Sequence, residues 1–312
     1  MIFYIVRRIL LAVLVVVAVS ALVFFISHLV SDPAALMAPP GATAEQLDEI
    51  RHAYGLDRPV VVQYLDYMGG IVLRGDLGTS MRHGVPVTTL IRDTLPNTVQ
   101  LALVAQLLAL ALAIPAGVFA ATHRNSAFDS ATMTAAVFGQ SIPGFWLGLM
   151  LILVFGVKLR WLPISGTGGV SHLVLPAVTL AAYSLARTSR LVRSSMLEVL
   201  GQEYIMTARA KGLSERVVLY QHALKNAFIP VLTVIGLEFG LLLGGAVIVE
   251  TVFSWPGMGR LLVDSIFNRD FPLTQALVIF ISVVLVFMNL LVDMFYTVLD
   301  PRIKLVGGSR RG

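Results

Sequence analysis

The chain has 312 residues, of which 57% are hydrophobic and only 13% charged, with a net charge of +5 and no cysteine. A soluble domain is about 25% charged, so lipid must face much of this surface, and the lack of cysteine excludes disulfides, thiolate metal sites and cysteine nucleophiles. The excess of Lys and Arg fits the cytoplasmic side of a membrane protein; it lacks the interleaved aromatics of a nucleic-acid groove, so no nucleic-acid partner is expected.

Apolar runs of about twenty residues, the length that crosses a hydrocarbon core of about 30 Å as a helix, recur down the chain. A helix satisfies its own backbone in lipid, so the expected fold is all-α and polytopic, with six transmembrane helices. Arg7 and Arg8 precede the first run, Ile9 to Val30. That run is longer than a signal-peptide core of about 7–15 residues, and no small-x-small cleavage site follows. It reads as an uncleaved first span within residues 1–30.

Residues 31–96 read as a long extracytoplasmic loop containing a short amphipathic helix, EQLDEIRHAYGL, with Gly55 closing its end. Five more spans follow within residues 97–299: about Thr98–Ala121, Ala131–Val157, His172–Val192, Ala227–Val249 and Gln275–Leu299. Pro143, in the stretch SIPG from Ser141 to Gly144, removes a helix hydrogen bond and predicts a kink or break in the third span. Trp161 and Trp255 are expected at the outer interface and Asp293 near an interface as well. Residues 300–312 read as a basic tail. This layout sets fourteen of the 23 Lys and Arg residues on the side holding both termini and nine opposite. Five of those nine lie in the long first loop, where the charge rule has little force, so both termini are expected in the cytoplasm.

The segment EYIMTARAKGLSERVVLYQHALKNAFIP, Glu203 to Pro230, is charged and helix-prone between two apolar runs. Arg209 and Lys211 suit the negative end of a first helix, Gly212 suits the left-handed residue that closes it, and Ser214 can cap a second. Thr207, Ala208 and Ala210 would let another protein approach the backbone closely. The segment therefore reads as a docking element on the cytoplasmic face, against the alternative of a solvated loop that supplies inside charge.

Glu238 falls within the fifth span, where an acid is costly and a functional candidate. It could line a translocation path, with Gln140 and Ser141 as companion candidates, pair with a neighbouring subunit, or stay protonated in a helix contact. Arg187, Arg190 and Arg193 share the three-residue spacing of a voltage sensor, but they follow their apolar run and read as snorkelling to headgroups. No stretch matches G-x-x-x-x-G-K-[ST] or HExxH, so neither a nucleotide loop nor a metal or catalytic site is expected in this chain.

The pattern EY-x-x-TARAKGL followed by H-x-L-x-NA-x-x-P resembles the EAA loop of ABC-importer permeases, in the form typical of dipeptide and oligopeptide permeases. Gly244 to Pro272, GGAVIVETVFSWPGMGRLLVDSIFNRDFP, resembles that family's last outer loop. Gly55 to Ser80, GLDRPVVVQYLDYMGGIVLRGDLGTS, resembles the first outer loop of its B-type member. Aligned on Gly212, the general motif EAA-x3-G-x9-I-x-LP meets Met206-Thr207-Ala208 and His222-Ala223-Leu224-Lys225, a departure that favours the peptide branch.

The resemblance implies a type I ABC importer permease fold in a prokaryotic plasma membrane, with a cytoplasmic coupling loop over about 193–226. Glu203, Tyr204, Thr207, Ala208, Arg209, Ala210, Lys211, Gly212 and Leu213 would dock an ATP-hydrolysing subunit. It further implies a C-type permease partner, two ABC ATPase subunits that hold ATP and Mg, an extracytoplasmic substrate-binding protein, and dipeptides or short oligopeptides as cargo. Pro115 and the SIPG break would be flexure points. Two competing readings are a proton-coupled secondary transporter built on Glu238 and a voltage-gated channel built on Arg190.

Overall fold

The computed structural model describes residues 2–30, 34–35, 38 and 41–299; the tail from 300 to 312 and the side chain of Asp293 lie outside the description. Every regular element among the described residues is helical, apart from one isolated bridge between Thr79 and Pro86. The chain divides into two compact units, residues 1–97 with 257–287, and residues 98–256 with 288–312.

In the first unit, α1 (Ile2–Val30) is followed by α2 (Ala44–Tyr54) and α3 (Val60–Gly69). The amphipathic helix read from the sequence is α2. Thr43 accepts from the Gln46 backbone at 3.4 Å while the Gln46 side chain accepts from the Thr43 N–H at 2.9 Å, a reciprocal cap. Gly55 closes the helix at φ +67°. α3 is tied to α1 through Tyr64, whose hydroxyl lies 2.7 Å from that of Ser20, and through Gln63, 3.1 Å from His28. The Phe24 ring packs against Tyr64 and Tyr67.

The loop 80–82 is fixed to the start of the last long helix by one buried carboxylate. Asp270 accepts from the Ser80 hydroxyl at 2.5 Å, from the backbone N–H of Met81 and Arg82 at 3.2 Å each, and from Leu273 N–H at 3.4 Å. It thus also caps that helix.

α4 (Val87–Thr122) starts earlier than the sequence suggests. Pro96, the last residue of the long loop in the sequence reading, lies inside α4, where it forfeits one backbone bond. α4 runs on through Pro115 without a break. The second unit then contains α5 (Ala127–Ser141), α6 (Gly144–Leu151), continued to Lys158 by wider π turns, and α7 (Val170–Leu200). α8 (Glu203–Ala210) follows, then α9 (Glu215–Val217), a π segment over Val218–Ala223, and α10 (Leu224–Val252). α11 (Met258–Phe267) and α12 (Phe271–Leu299) end the described chain.

Among the described residues five helices are long and apolar enough to cross a membrane, and α5 with α6 makes a sixth if the bent pair counts as one span. The bend between them is 104°. It falls at Ile142 and Pro143, where the ring leaves no N–H to continue the ladder and favours an extended residue before it. Ile142 is extended, at φ −79° and ψ 124°.

α7 is the centre of the second unit and packs against α5, α6 and α10. One apolar cluster joins Leu101 and Ala105 of α4, Leu180 of α7 and Ala246 of α10 with Phe253 and Trp255. A second joins Val118 of α4, Met196 of α7, Ile205 and Ala208 of α8 and Ala227 of α10. Trp255, expected in an interfacial belt, is thus a core residue, 3% exposed, whereas Trp161 is exposed.

The α4–α7 crossing is tight at Gly117. A Cβ there would stand 2.7 Å from the Ser189 carbonyl oxygen and 2.7 Å from Val192 Cβ, while a Cβ on Gly244 of α10 would meet nothing within 4 Å. Gly117→Ala should therefore destabilise the protein by about 1–3 kcal/mol through overpacking, read as a lower melting temperature in detergent. Gly244→Ala should leave the melting temperature unchanged or raise it slightly.

Candidate functional site

Two assemblies in the second unit carry the residues singled out by the sequence. The first is a polar seam along α7. Glu238 of α10 is 2% exposed; its Oε2 accepts from Ser184 Oγ at 2.6 Å and from Thr188 Oγ1 at 3.0 Å. Arg187 Nε stands 3.6 Å from Oε1, which makes no hydrogen bond. Arg190, one turn on, donates from Nη1 to Gln140 Oε1 of α5 at 3.1 Å. Arg193, another turn on, grips Asp129 of α5 through both nitrogens of its fork, at 2.5 and 2.7 Å.

Each of the three arginines has a protein partner on a neighbouring helix, where the sequence suggests lipid headgroups, because a three-residue step keeps them on one face of α7 and that face meets α5 and α10. Asp129 was not legible as a partner, although a signal existed. Ser126 caps α5 by accepting from Asp129 N–H at 3.1 Å, which fixes Asp129 in the first turn. Its carboxylate also accepts from Asn125 N–H at 3.0 Å. Glu250 is a further buried acid, with Thr98 Oγ1 donating to it at 2.6 Å.

A cleft of about 380 Å³ lies beside this seam, at the break between α5 and α6. Gly139, Ile142, Gly144, Tyr183 and Glu238 contribute to its walls. Its lining is mostly aliphatic, and Glu238 is the acidic group in it. Gln140 and Ser141 do not line it. Gln140 holds Arg190, and the Ser141 hydroxyl donates to Val137 O of its own helix at 2.9 Å.

The second assembly is α8 and its turn. Gly212 adopts φ +77°, the left-handed residue the sequence calls for, and Lys211 N–H donates to Thr207 O at 3.0 Å as the helix ends. Ser214 occupies the position before α9, but its side chain makes no capping bond. Arg209 instead staples the two helices: its Nε and Nη2 reach Glu215 at 2.7 and 3.3 Å. That hydrogen-bonded carboxylate holds the Arg209 guanidinium charged even more firmly than usual.

The face of α8 that meets the protein's own core is Ile205 and Ala208. Ala208 thus packs inward, and the outer surface is formed by Glu203, Tyr204, Thr207, Arg209, Ala210, Lys211, Gly212 and Leu213, all exposed. Tyr204 OH accepts from Asn226 Nδ2 of α10 at 3.1 Å, a second link between the short helix and a long one.

An all-helical unit with one broken span and a short exposed helix keyed into two long ones has close parallels. The family model for the inner membrane component of binding-protein-dependent transport systems matches residues 113–305, and the model of that family's N-terminal part matches residues 1–102. The chain belongs to this family.

Relatives of this family member cover 96% of its length. The oligopeptide transport system permease protein AppB of Bacillus subtilis is 42% identical over 96% of this chain and 99% of its own. The glutathione transport system permease protein GsiC of Escherichia coli O6:H1 is 43% identical over 96% of this chain and 98% of its own. A solved structure of the MetNI methionine ABC transporter in an inward-facing conformation matches 68% of this chain and 97% of that chain, with a TM-score of 0.58 and 16% identity. At that identity it supports the fold alone.

The two charge pairs differ in burial and should differ in worth. Asp129→Ala leaves Arg193 without the carboxylate that two nitrogens of its fork hold, and it removes the polar link between α5 and α7. Glu215→Ala removes an exposed pair worth about 0–1 kcal/mol. Melting curves of both variants in the same detergent should show a large loss for the first and almost none for the second.

Proposed function

We propose that this chain is the B-type permease subunit of an ATP-driven ABC importer for dipeptides or short oligopeptides in a prokaryotic inner membrane, with both termini cytoplasmic. It has no catalytic site of its own. ATP and Mg belong to two partner ATPase subunits, a C-type permease completes the pore, and an extracytoplasmic binding protein delivers the peptide. The full-length likeness to permeases named for oligopeptide and glutathione transport carries this reading.

The geometry supplies a mechanism for it. α8 offers an ATPase subunit an exposed polar surface and keeps an apolar underside, Ile205 and Ala208, in the core with Met196 of α7 and Ala227 of α10. A push on α8 therefore cannot be absorbed in a flexible loop. Close-packed side chains transmit displacement because interiors have low compressibility, and the Tyr204–Asn226 hydrogen bond ties α8 to α10 directly. α7 and α10 would move with it. The bend at Ile142 and Pro143 is where the third span can change angle without breaking further backbone bonds. Glu238, in the wall of the cleft beside that bend, would face the peptide's path.

Gly212 tests the coupling. Nothing lies within 4 Å of a Cβ placed there, so a side chain meets only backbone strain at φ +77°, which costs roughly 1–3 kcal/mol for a β-branched residue. Gly212→Val should insert normally, yet lose most ATP-driven peptide uptake in proteoliposomes holding the complete transporter, while ATP hydrolysis continues. Uptake coupled as in the parent protein, or uptake driven by a pH gradient with no ATP, would sink the proposal.

A further inference from the structure

In the first unit, where α1 ends and α12 begins, a groove of about 470 Å³ opens between the two helices. That volume lies in the range of about 300–1,000 Å³ typical of small-molecule sites. Its walls include Val23 and Ile26 of α1 and Phe271 and Val278 of α12. The two hydroxyls that border it are turned to their own helices: Ser27 Oγ donates to Val23 O at 2.7 Å and Thr274 Oγ1 to Asp270 O at 2.8 Å. The interior thus presents hydrocarbon.

The mouth presents one cation. Arg269 lines the groove, is exposed, and its side chain has no polar partner among the described residues. The nearby acid does not serve it, since the Asp270 carboxylate is buried and committed to Ser80, Met81, Arg82 and Leu273. The Arg269 backbone is held at φ +56°, a conformation uncommon for a residue with a side chain. Its N–H donates to Ile266 O at 3.1 Å and the next N–H to Ser265 O at 2.9 Å, which locks the turn. Such strain is retained where surrounding structure over-determines it, and it clusters at ligand clamps.

Both walls are ends of helices long and apolar enough to cross a membrane, so the groove mouth lies at the depth where headgroups meet acyl chains. Leu29, Ile266 and Phe267 stand exposed nearby, as residues in contact with lipid would.

We propose that this groove holds an acyl chain of an anionic phospholipid, with the lipid phosphate on Arg269. An arginine fork matches phosphate oxygens in pairs. A peptide is a poor fit, because its backbone amides would be buried in the groove without partners. An apolar partner helix would fill the walls but leave the Arg269 charge unmatched. A phospholipid satisfies both halves with one molecule.

The test uses the full chain with whatever subunits co-purify, reconstituted in nanodiscs of phosphatidylglycerol and phosphatidylcholine in equal amounts. Native mass spectrometry then counts retained lipid. Phosphatidylglycerol should be retained in preference; Arg269→Gln should reduce its retention about fivefold, the effect of one interfacial basic residue, with no change in melting temperature. Val278→Trp, which fills the groove, should remove the lipid while Arg269 remains. The proposal fails if Arg269→Gln retains as much phosphatidylglycerol as the parent, if millimolar inorganic phosphate displaces it, or if a photo-cross-linker at Ile26 captures a subunit in place of lipid.

Discussion

The second unit depends on the meeting of α7 with its neighbours through charge. A carboxylate buried in a span is costly unless it is paired or hydrogen-bonded. α7 supplies the partners: Arg193 binds Asp129 of α5, Arg187 stands near Glu238 of α10, and the exposed Arg190 adds a hydrogen bond to the neutral Gln140 of α5. The pairing fixes more than energy. Apolar contacts tolerate sliding, whereas a fork bound to a carboxylate through two nitrogens sets one register. Asp129 and Arg193 thus determine where α5 lies along α7, and α5 in turn sets where the break at Pro143 falls.

The seam and the short helix α8 act on the same long helices from different positions. Met196 of α7 belongs to the cluster that receives Ile205 and Ala208, and the Arg187–Glu238 contact lies further back along α7, towards its middle. A displacement entering at α8 reaches α7 through hydrocarbon, which is stiff but non-directional, and reaches α10 through the hydrogen bond from Asn226 to Tyr204, which is directional. Under the proposed function that combination suits a lever, with two helices moving together and only one held by a directional bond.

Much of this was legible in the sequence where a single residue dictates backbone geometry. Pro143 gave the break, and Gly212 and Gly55 gave the left-handed helix ends, because each acts locally and needs no knowledge of the fold. What failed depended on who sits across the helix. Trp255 has the amphipathic ring of an interfacial anchor, and only the packing of α7 and α10 around it makes it core. Arg187, Arg190 and Arg193 fall just beyond an apolar run, where lipid headgroups and a second helix are indistinguishable from sequence alone. Ala208 is small enough for either a docking surface or a core, and its position one turn after Ile205, on the same face of α8, decides for the core.

The same reasoning bears on Glu238. An acid within a span is a candidate for moving protons because its charge is costly there, but cost alone does not distinguish a carrier from a strut. A carrier needs a carboxylate whose partners change during the cycle. Glu238 has one oxygen held by two hydroxyls of α7, Ser184 and Thr188, and another that faces Arg187 at 3.6 Å without a hydrogen bond. The first oxygen ties α10 to α7 through ordinary hydroxyl donors. The second leaves room for adjustment beside a cleft bordered by glycines of the broken span. One oxygen of the carboxylate is thus a strut and the other faces Arg187 beside the cleft, so α7 can bear on the cleft through Glu238 while Arg190 and Arg193 hold α5 in register.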